Sequence, residues 1–183
     1  VEDGLEMTQK ATERITWAVE TLAVAPNDHI LEIGCGHGVA VSLVCEKLAT
    51  GTITAIDRSQ KMIEMAAKRN QGCVDAGKAR LHCVTLEDAD FGDQRFDKIF
   101  AIRVNFFIQQ PERQLPKIKQ LLKPNGLFYI FYDPPVTAQS ASFITIATEG
   151  LGAYGFTVEQ AIQKELGGTQ VVCIMAVKNP QGA

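Results

Sequence analysis

The chain has 183 residues, of which 46% are hydrophobic and 21% charged, and it carries a net charge of −3. This length suits one domain with a proper core, and the composition argues against a disordered or membrane-spanning chain. The negative balance removes any bulk electrostatic pull toward nucleic acid.

Residues 7–22 read as an amphipathic helix, because Ile15, Val19 and Leu22 recur at three- and four-residue spacing with Glu13, Arg14 and Glu20 between them. Pro26-Asn27-Asp28 punctuates, and residues 29–33 form a short apolar strand. From there strands and helices alternate. Residues 39–48 are helical and stop near Gly51, residues 52–56 are a β-branched strand, and Ser59 is placed to cap a helix over 60–70. Residues 80–84, 98–102 and 127–132 supply three more strands, with a helix over 111–122 between the last two. Alternation of helices with near-continuous apolar strands predicts a parallel sheet covered on both faces, a doubly wound α/β fold. After a helix between 137 and 151, the strand-like runs 157–166 and 169–177 flank Gly167-Gly168, which is a hairpin signal. An antiparallel C-terminal hairpin is therefore expected to close the sheet. The whole chain reads as one domain: a helical segment over 1–24, a ligand-binding core over 25–135, and a helix with its closing hairpin over 136–183.

The longest apolar stretches, such as 127–132, are far short of the ~20 residues of a bilayer crossing. No basic-then-apolar leader opens the chain, Val1 is read as a trimmed or processed end, and a cytoplasmic location is expected. Cys35, Cys45, Cys73, Cys83 and Cys173 are odd in number and widely spaced, which predicts free thiols in a reducing compartment. His29, His37 and His82 are scattered, so no metal site is expected. Lys117, Lys119 and Lys123 read as a solvated helix face, with a local basic patch as the alternative.

The sharpest segment runs Ile30-Leu31-Glu32-Ile33-Gly34-Cys35-Gly36-His37-Gly38. A buried strand meets a glycine-rich turn with a helix opening behind it. Glycines accept positive φ and leave no Cβ to block a ligand, and exposed amides at the helix start favour an electronegative group. The spacing is G-x-G-x-G, with Val39 where the dinucleotide pattern has its third glycine. Asp57 ends the second strand, where a carboxylate can accept two hydrogen bonds from a ribose diol; capping of the following helix is the alternative reading.

With these pieces the chain resembles the class I S-adenosylmethionine-dependent methyltransferases of the small type 11 group. The resemblance covers roughly residues 25–177. It rests on L-E-I-G-C-G-H-G at 31–38, A-I-D-R-S at 55–59, R-F-D-K-I-F at 95–100 and L-L-K-P-N-G at 121–126, in order and at ordinary distances. It implies a Rossmann-like, seven-stranded, mostly parallel sheet with an antiparallel last strand, and S-adenosylmethionine as cofactor. It also implies roles. Gly34, Cys35 and Gly36 bring backbone against the methionine part, and Glu32 supports the loop or reaches the amino group through water. Asp57 takes the ribose, and Arg58 and Met62 cover the adenine, a solvent-facing position being the alternative for Arg58 and a core position for Met62. Family members often have Gly-Asp-Ala after the third strand, the Asp holding the adenine amino group; here Val84-Thr85-Leu86 puts Thr85 in its place. Leu86 retains backbone contacts, with Glu87 or Asp88 as candidates for the amino group.

The fourth strand ends Ala101-Ile102-Arg103-Val104-Asn105-Phe106-Phe107, where the family lines the methyl-transfer mouth. Ala101 is expected among the cofactor-binding residues, at a position where relatives often have a small polar residue, and relatives often have Asn at the position of Arg103. Arg103 is a candidate to bind an anionic group of substrate or cofactor, Asn105 and Phe106 are candidates for the substrate pocket, and a core position is the alternative for Phe106 and Phe107. Asp133-Pro134-Pro135 is read as a turn that stops sheet pairing, not as the D-P-P-Y box of DNA methyltransferases, because Val136 follows it. The expected activity is methyl transfer to a small-molecule acceptor. A nicotinamide-dependent oxidoreductase and a non-catalytic S-adenosylmethionine-binding domain are the alternatives. The acceptor itself and the oligomeric state are not written in the sequence.

Overall fold

The computed structural model describes residues 2–104, 110–133 and 139–179, with side chains from residue 12 onward apart from residue 139. In chain order the elements are α1 (Glu2–Thr21), β1 (His29–Ile33), α2 (Val39–Lys47), β2 (Thr52–Asp57), α3 (Gln60–Arg69), α4 (Gln71–Asp75) and β3 (Ala79–Cys83). They continue with β4 (Phe96–Ile102), α5 (Pro111–Leu121), β5 (Leu122–Tyr132), α6 (Gln139–Ala153), β6 (Phe156–Leu166) and β7 (Thr169–Lys178). The strands form one seven-stranded sheet in the order β3-β2-β1-β4-β5-β7-β6. β3, β2, β1, β4 and β5 run parallel, and β7 pairs antiparallel with both β5 and β6. The fold is therefore the doubly wound, mostly parallel sheet with a closing antiparallel hairpin.

The two faces of the sheet bury different helices. On one side Trp17 of α1, Leu22 just past its end, Val41 and Val44 of α2 and Ile63 of α3 pack against Ile30, Ile53 and Phe100. On the other, Leu115 and Ile118 of α5 with Phe143 and Leu151 of α6 cover Leu31, Ile56, Ile99 and Phe128. Adjacent strand residues such as Ile30 and Leu31 thus face opposite layers, the period-2 alternation of a strand. Each fully buried large side chain contributes roughly 1.5–3 kcal/mol.

Local chemistry sets the element ends. The Ser59 hydroxyl accepts the Met62 N–H at 3.4 Å and caps α3 as its sequence position requires. β5 begins at Leu122, five residues before its apolar run, since Leu122 pairs with Phe96 across a register shift. Gly126 makes this passage feasible: a Cβ there would lie 2.9 Å from the Phe96 carbonyl oxygen. The short helix α4, which no periodicity announces, follows directly on Asn70.

At the amino ends of the strands the charges are paired, and the Lys98–Asp28 pair is buried. Lys98 Nζ lies 2.5 Å from Asp28 and donates to the Ala23 carbonyl at 3.0 Å. Asp97 accepts the His29 N–H at 2.8 Å and pairs with Lys123 at 2.7 Å. Lys117 donates to the carbonyls of Glu87 and Ala89, so two of the three helix-face lysines are committed within the fold. No helix among the described residues is long and apolar enough to cross a membrane.

Candidate active site

β1 sits where the strand order reverses, between β2 and β4, and the crevice beyond such a point is where open α/β sheets hold ligands. The glycine loop leaves β1 there. The N–H groups of Gly34 and Cys35 donate to the Ile56 carbonyl at 2.8 and 3.0 Å, tying the loop to the end of β2. The Gly36 N–H donates to Asp57 Oδ2 at 2.9 Å, while Asp57 Oδ1 accepts the Ser59 N–H at the same distance. One carboxylate therefore braces the loop and starts α3.

Gly34, Gly36 and Gly38 have φ of 76°, 52° and 78°, which side chains adopt only under strain. Their surroundings separate their tasks. A Cβ at Gly34 would lie 2.7 Å from Val104 Cγ2, and one at Gly38 would lie 2.6 Å from Asn70 Nδ2 and 2.8 Å from Ala66 Cβ. A Cβ at Gly36 would meet nothing within 4 Å. Close packing thus demands glycine at 34 and 38, whereas at 36 the backbone faces open space. Asn70, buried at the end of α3, donates to the Gly38 carbonyl at 2.9 Å and accepts the Ser42 hydroxyl at 2.6 Å, locking the loop from behind.

Two cavities flank the loop, and Gly34, Ile102 and Arg103 line both. The first, about 260 Å³, lies between the loop, α1 and the tips of β4 and β5, with Trp17, Glu32, Gly36 and Phe131 among its walls. Glu32 is buried, and its Oε2 has no hydrogen-bond partner among the described residues. Burial, and secondarily the charge of Asp57, pushes its carboxyl up to about 8. Burial also raises the Cys35 thiol, helped by Glu32 and Asp57, so it stays a neutral weak donor, 3.7 Å from the Gly36 carbonyl oxygen.

The second cavity, about 620 Å³, opens over the tips of β2 and β4 and is walled by Asp57, Arg58, Thr85, Leu86, Asp88 and Gln114 among others. Its floor loop is internally bonded. The Thr85 hydroxyl donates to Asp88 Oδ2 at 2.7 Å, and the Gln114 side-chain amide donates to Glu87 Oε1.

At the mouth, Arg103 holds a left-handed backbone, φ 59°, with its N–H on the Phe131 carbonyl at 2.8 Å. Its Nε lies 3.1 Å from Asp133 Oδ1, and Asp133 Oδ2 is 2.5 Å from Arg14 Nη1. Asp133 thereby joins α1 to the tips of β4 and β5. Trp17 of α1 packs edge-on against Phe131 at 5.7 Å, beside this network.

Comparison with known proteins assigns the fold a family: the model described as "Methyltransferase domain" matches residues 31–130, more than half of the chain. The chain belongs to the methyltransferase domain family. S-adenosylmethionine is the methyl donor of this methyltransferase family. The Bacillus subtilis protein YrhH is 26% identical over 128 residues, covering 70% of each chain. The ubiquinone/menaquinone biosynthesis C-methyltransferase UbiE of Geotalea daltonii is 31% identical over 114 residues, 60% of this chain and 47% of that protein. The chain thus spans about half of UbiE. Magnesium protoporphyrin IX methyltransferase ChlM of Synechocystis, solved with S-adenosylhomocysteine, shares the fold: TM-score 0.75 at 13% identity, covering 95% of this chain and 86% of that one.

The site residues fit such a cofactor on three observations. The unpartnered oxygen of Glu32 needs a donor, which an amino group supplies. The open space at Gly36 is a cradle that any Cβ would fill. Asp57 uses one lone-pair site on each oxygen for the loop and keeps further acceptor capacity for a diol.

The structure brings Glu32, Gly34, Cys35, Gly36, Asp57, Arg58, Thr85, Leu86 and Arg103 around the two cavities. Two expected cofactor residues lie elsewhere. Ala101 is fully buried in the layer under α5 and α6, because strand alternation turns its neighbours Phe100 and Ile102 to the other face. Met62 is half-buried on the first turn of α3 and is part of neither cavity wall. Asn105 and Phe106, with Phe107, lie outside the described residues. Sequence reading overlooked Arg14, Trp17, Asp133 and Gln114. Arg14 and Asp133 meet across 119 positions, for which no local pattern exists. Gln114 did leave a signal: it shares the buried stripe of α5 with Leu115, Ile118 and Leu121, a polar residue where the period demands an apolar one.

Proposed function

We propose that this methyltransferase transfers the methyl group of S-adenosylmethionine to a small-molecule acceptor entering the cavity between α1 and the tips of β4 and β5. The observation that carries the reading is the junction of two cavities at Gly34, Ile102 and Arg103, one walled by Asp57 and the other by Glu32 with its unpartnered oxygen. S-adenosylmethionine, when bound, supplies an electrophilic methyl on a positively charged sulfur. The residues do the positioning. Glu32 accepts from the amino group, Asp57 from the ribose hydroxyls, and the Gly34-Cys35-Gly36 backbone lies along the methionine part. Arg58 covers the adenine. Trp17, Phe131 and Ile102 exclude water from the acceptor side, so that alignment rather than a strong base sets the rate. Arg103 is assigned to the acceptor's pocket.

The named functions of UbiE and ChlM concern ubiquinone or menaquinone biosynthesis and magnesium protoporphyrin IX, which supports a small molecule as acceptor here. The free thiols of Cys35, Cys45, Cys73, Cys83 and Cys173 support a cytoplasmic setting. Titration calorimetry tests the cofactor half: S-adenosylhomocysteine should bind and NADH should give no heat. Nicotinamide binding without S-adenosylhomocysteine binding would reverse the reading. Transfer of labelled methyl to any member of a small-molecule library tests the catalytic half.

A further inference from the structure

The sequence lacks the aspartate that, after the third strand, would hold the adenine amino group; Thr85 stands there, and its hydroxyl is committed to Asp88. The second cavity contains a different acceptor. Gln114 is 6% exposed, lines that cavity from α5, and its Oε1 has no partner among the described residues. Its orientation is fixed by chemistry. Glu87 Oε1 is an acceptor and takes the Gln114 NH₂, so the amide cannot flip without setting acceptor against acceptor. Lys117 in turn clamps the Glu87 and Ala89 carbonyls at 2.8 and 2.6 Å, holding the loop that carries Glu87. A buried carbonyl oxygen left without a donor is costly, and such groups in folded proteins find a partner. An unpartnered acceptor on a residue that lines the cavity asks for a donor, and the N–H of a ligand seated against Gln114 is one.

We infer that Gln114 Oε1 accepts a hydrogen bond from the exocyclic amino group of the adenine, with Glu87 as the positioning residue that presents it. The pair does from α5 what the missing aspartate does from the loop after β3, and it makes the site selective for a 6-amino purine over a 6-oxo purine. A 6-oxo purine presents a carbonyl there, which would face Oε1 acceptor to acceptor. The inference rests on the cofactor reading above.

The test is calorimetric titration of the full chain with S-adenosylhomocysteine and its deaminated analogue, S-inosylhomocysteine, with no turnover required. The wild type should prefer the amino form by about ten- to a hundredfold, the worth of one buried hydrogen bond together with the penalty of an unpartnered acceptor. Gln114→Met should bring the two affinities to within about threefold by weakening the amino form alone. The exchanged pair Glu87→Gln with Gln114→Glu keeps one donor and one free acceptor oxygen and should restore the preference; it also decides the matter if Gln114→Met fails to fold. A wild type without preference, a Gln114→Met that retains it, or a variant that weakens both ligands equally would overturn the inference. If neither nucleoside ligand binds the folded wild type, the cofactor reading itself has failed.

Discussion

At the amino ends of β1 and β4, Lys98 meets Asp28, and Asp97 meets both Lys123 and the His29 amide. At the carboxyl ends of the same two strands, Glu32 and Arg103 are placed differently. Glu32 keeps one buried oxygen unpartnered, and Arg103 is held in a backbone conformation that a non-glycine residue rarely adopts. The charges at one end are neutralised within the fold, whereas at the other Glu32, a residue that lines a cavity, keeps an oxygen without a partner among the described residues. The cost of an unpartnered carboxyl in low dielectric is tolerated where a ligand can relieve it. The difference also separates groups paired within the fold from Glu32, whose oxygen is left for a partner.

The largest expected break in this comparison is Gly38→Val. A side chain at φ 78° that must also displace Asn70 and Ala66 should cost about 3 kcal/mol or more, lowering Tm by roughly 6–12 °C in thermal unfolding. Gly36→Ala is its control. It should cost only about 1 kcal/mol in stability, from the backbone, yet cut S-adenosylhomocysteine affinity more than tenfold because its Cβ enters the cradle. Equal losses of stability in the two variants would remove the distinction between packing and ligand-facing glycines.

Asp133→Ala comes next. It leaves Arg14 and Arg103 facing one another without their shared carboxylate and should destabilise by about 1–3 kcal/mol. Hydrogen exchange should locate the loosening in α1 and leave β1 and β2 protected. Unchanged protection of α1 would mean that Asp133 does not dock that helix.

Asp57→Asn tests the double duty of one carboxylate. An amide offers one acceptor and one donor, so either the Gly36 or the Ser59 N–H would face a donor. A loss of about 1.5–3 kcal/mol in S-adenosylhomocysteine binding is expected, with a smaller loss in stability. Stability falling while affinity holds would make Asp57 a brace alone.

The finest test is pH. The Glu32 carboxyl is raised in the folded chain from 4.5 to about 8, so its contribution to stability is complete below the unfolded value and is lost as pH rises through 8. Over that window the stability of the wild type should decline relative to Glu32→Gln, in which this group no longer titrates. S-adenosylhomocysteine binding at pH 7 should release a proton as Glu32 ionises to meet an amino group, seen as a dependence of binding heat on buffer ionisation enthalpy. Parallel stability profiles for wild type and Glu32→Gln would show that Glu32 does not titrate as its burial demands.

How much of this could be read in the sequence follows from distance along the chain. The strand, the G-x-G-x-G turn and Asp57 lie within 29 consecutive residues, and the parallel pairing of β1 with β2 brings them together in a register that buries both apolar runs. Residue type, period and turn chemistry therefore fixed the sheet, the closing hairpin and one half of the site. The other half depended on where the chain returns. Asp133 was legible only as the end of a strand; that it holds Arg14 and Arg103 is a consequence of β5 lying beside β4 with α1 laid across their tips. Ala101 and Met62 show the same boundary from the other side. Their positions in the chain suggested cofactor contacts, and strand alternation and helix phase turned both away from the cavity walls. Local patterns decide which groups exist and roughly where along an element; which of them share a cavity is decided by the packing of elements remote in sequence, since Coulomb and hydrogen-bond partners are chosen in space and leave no period in the chain.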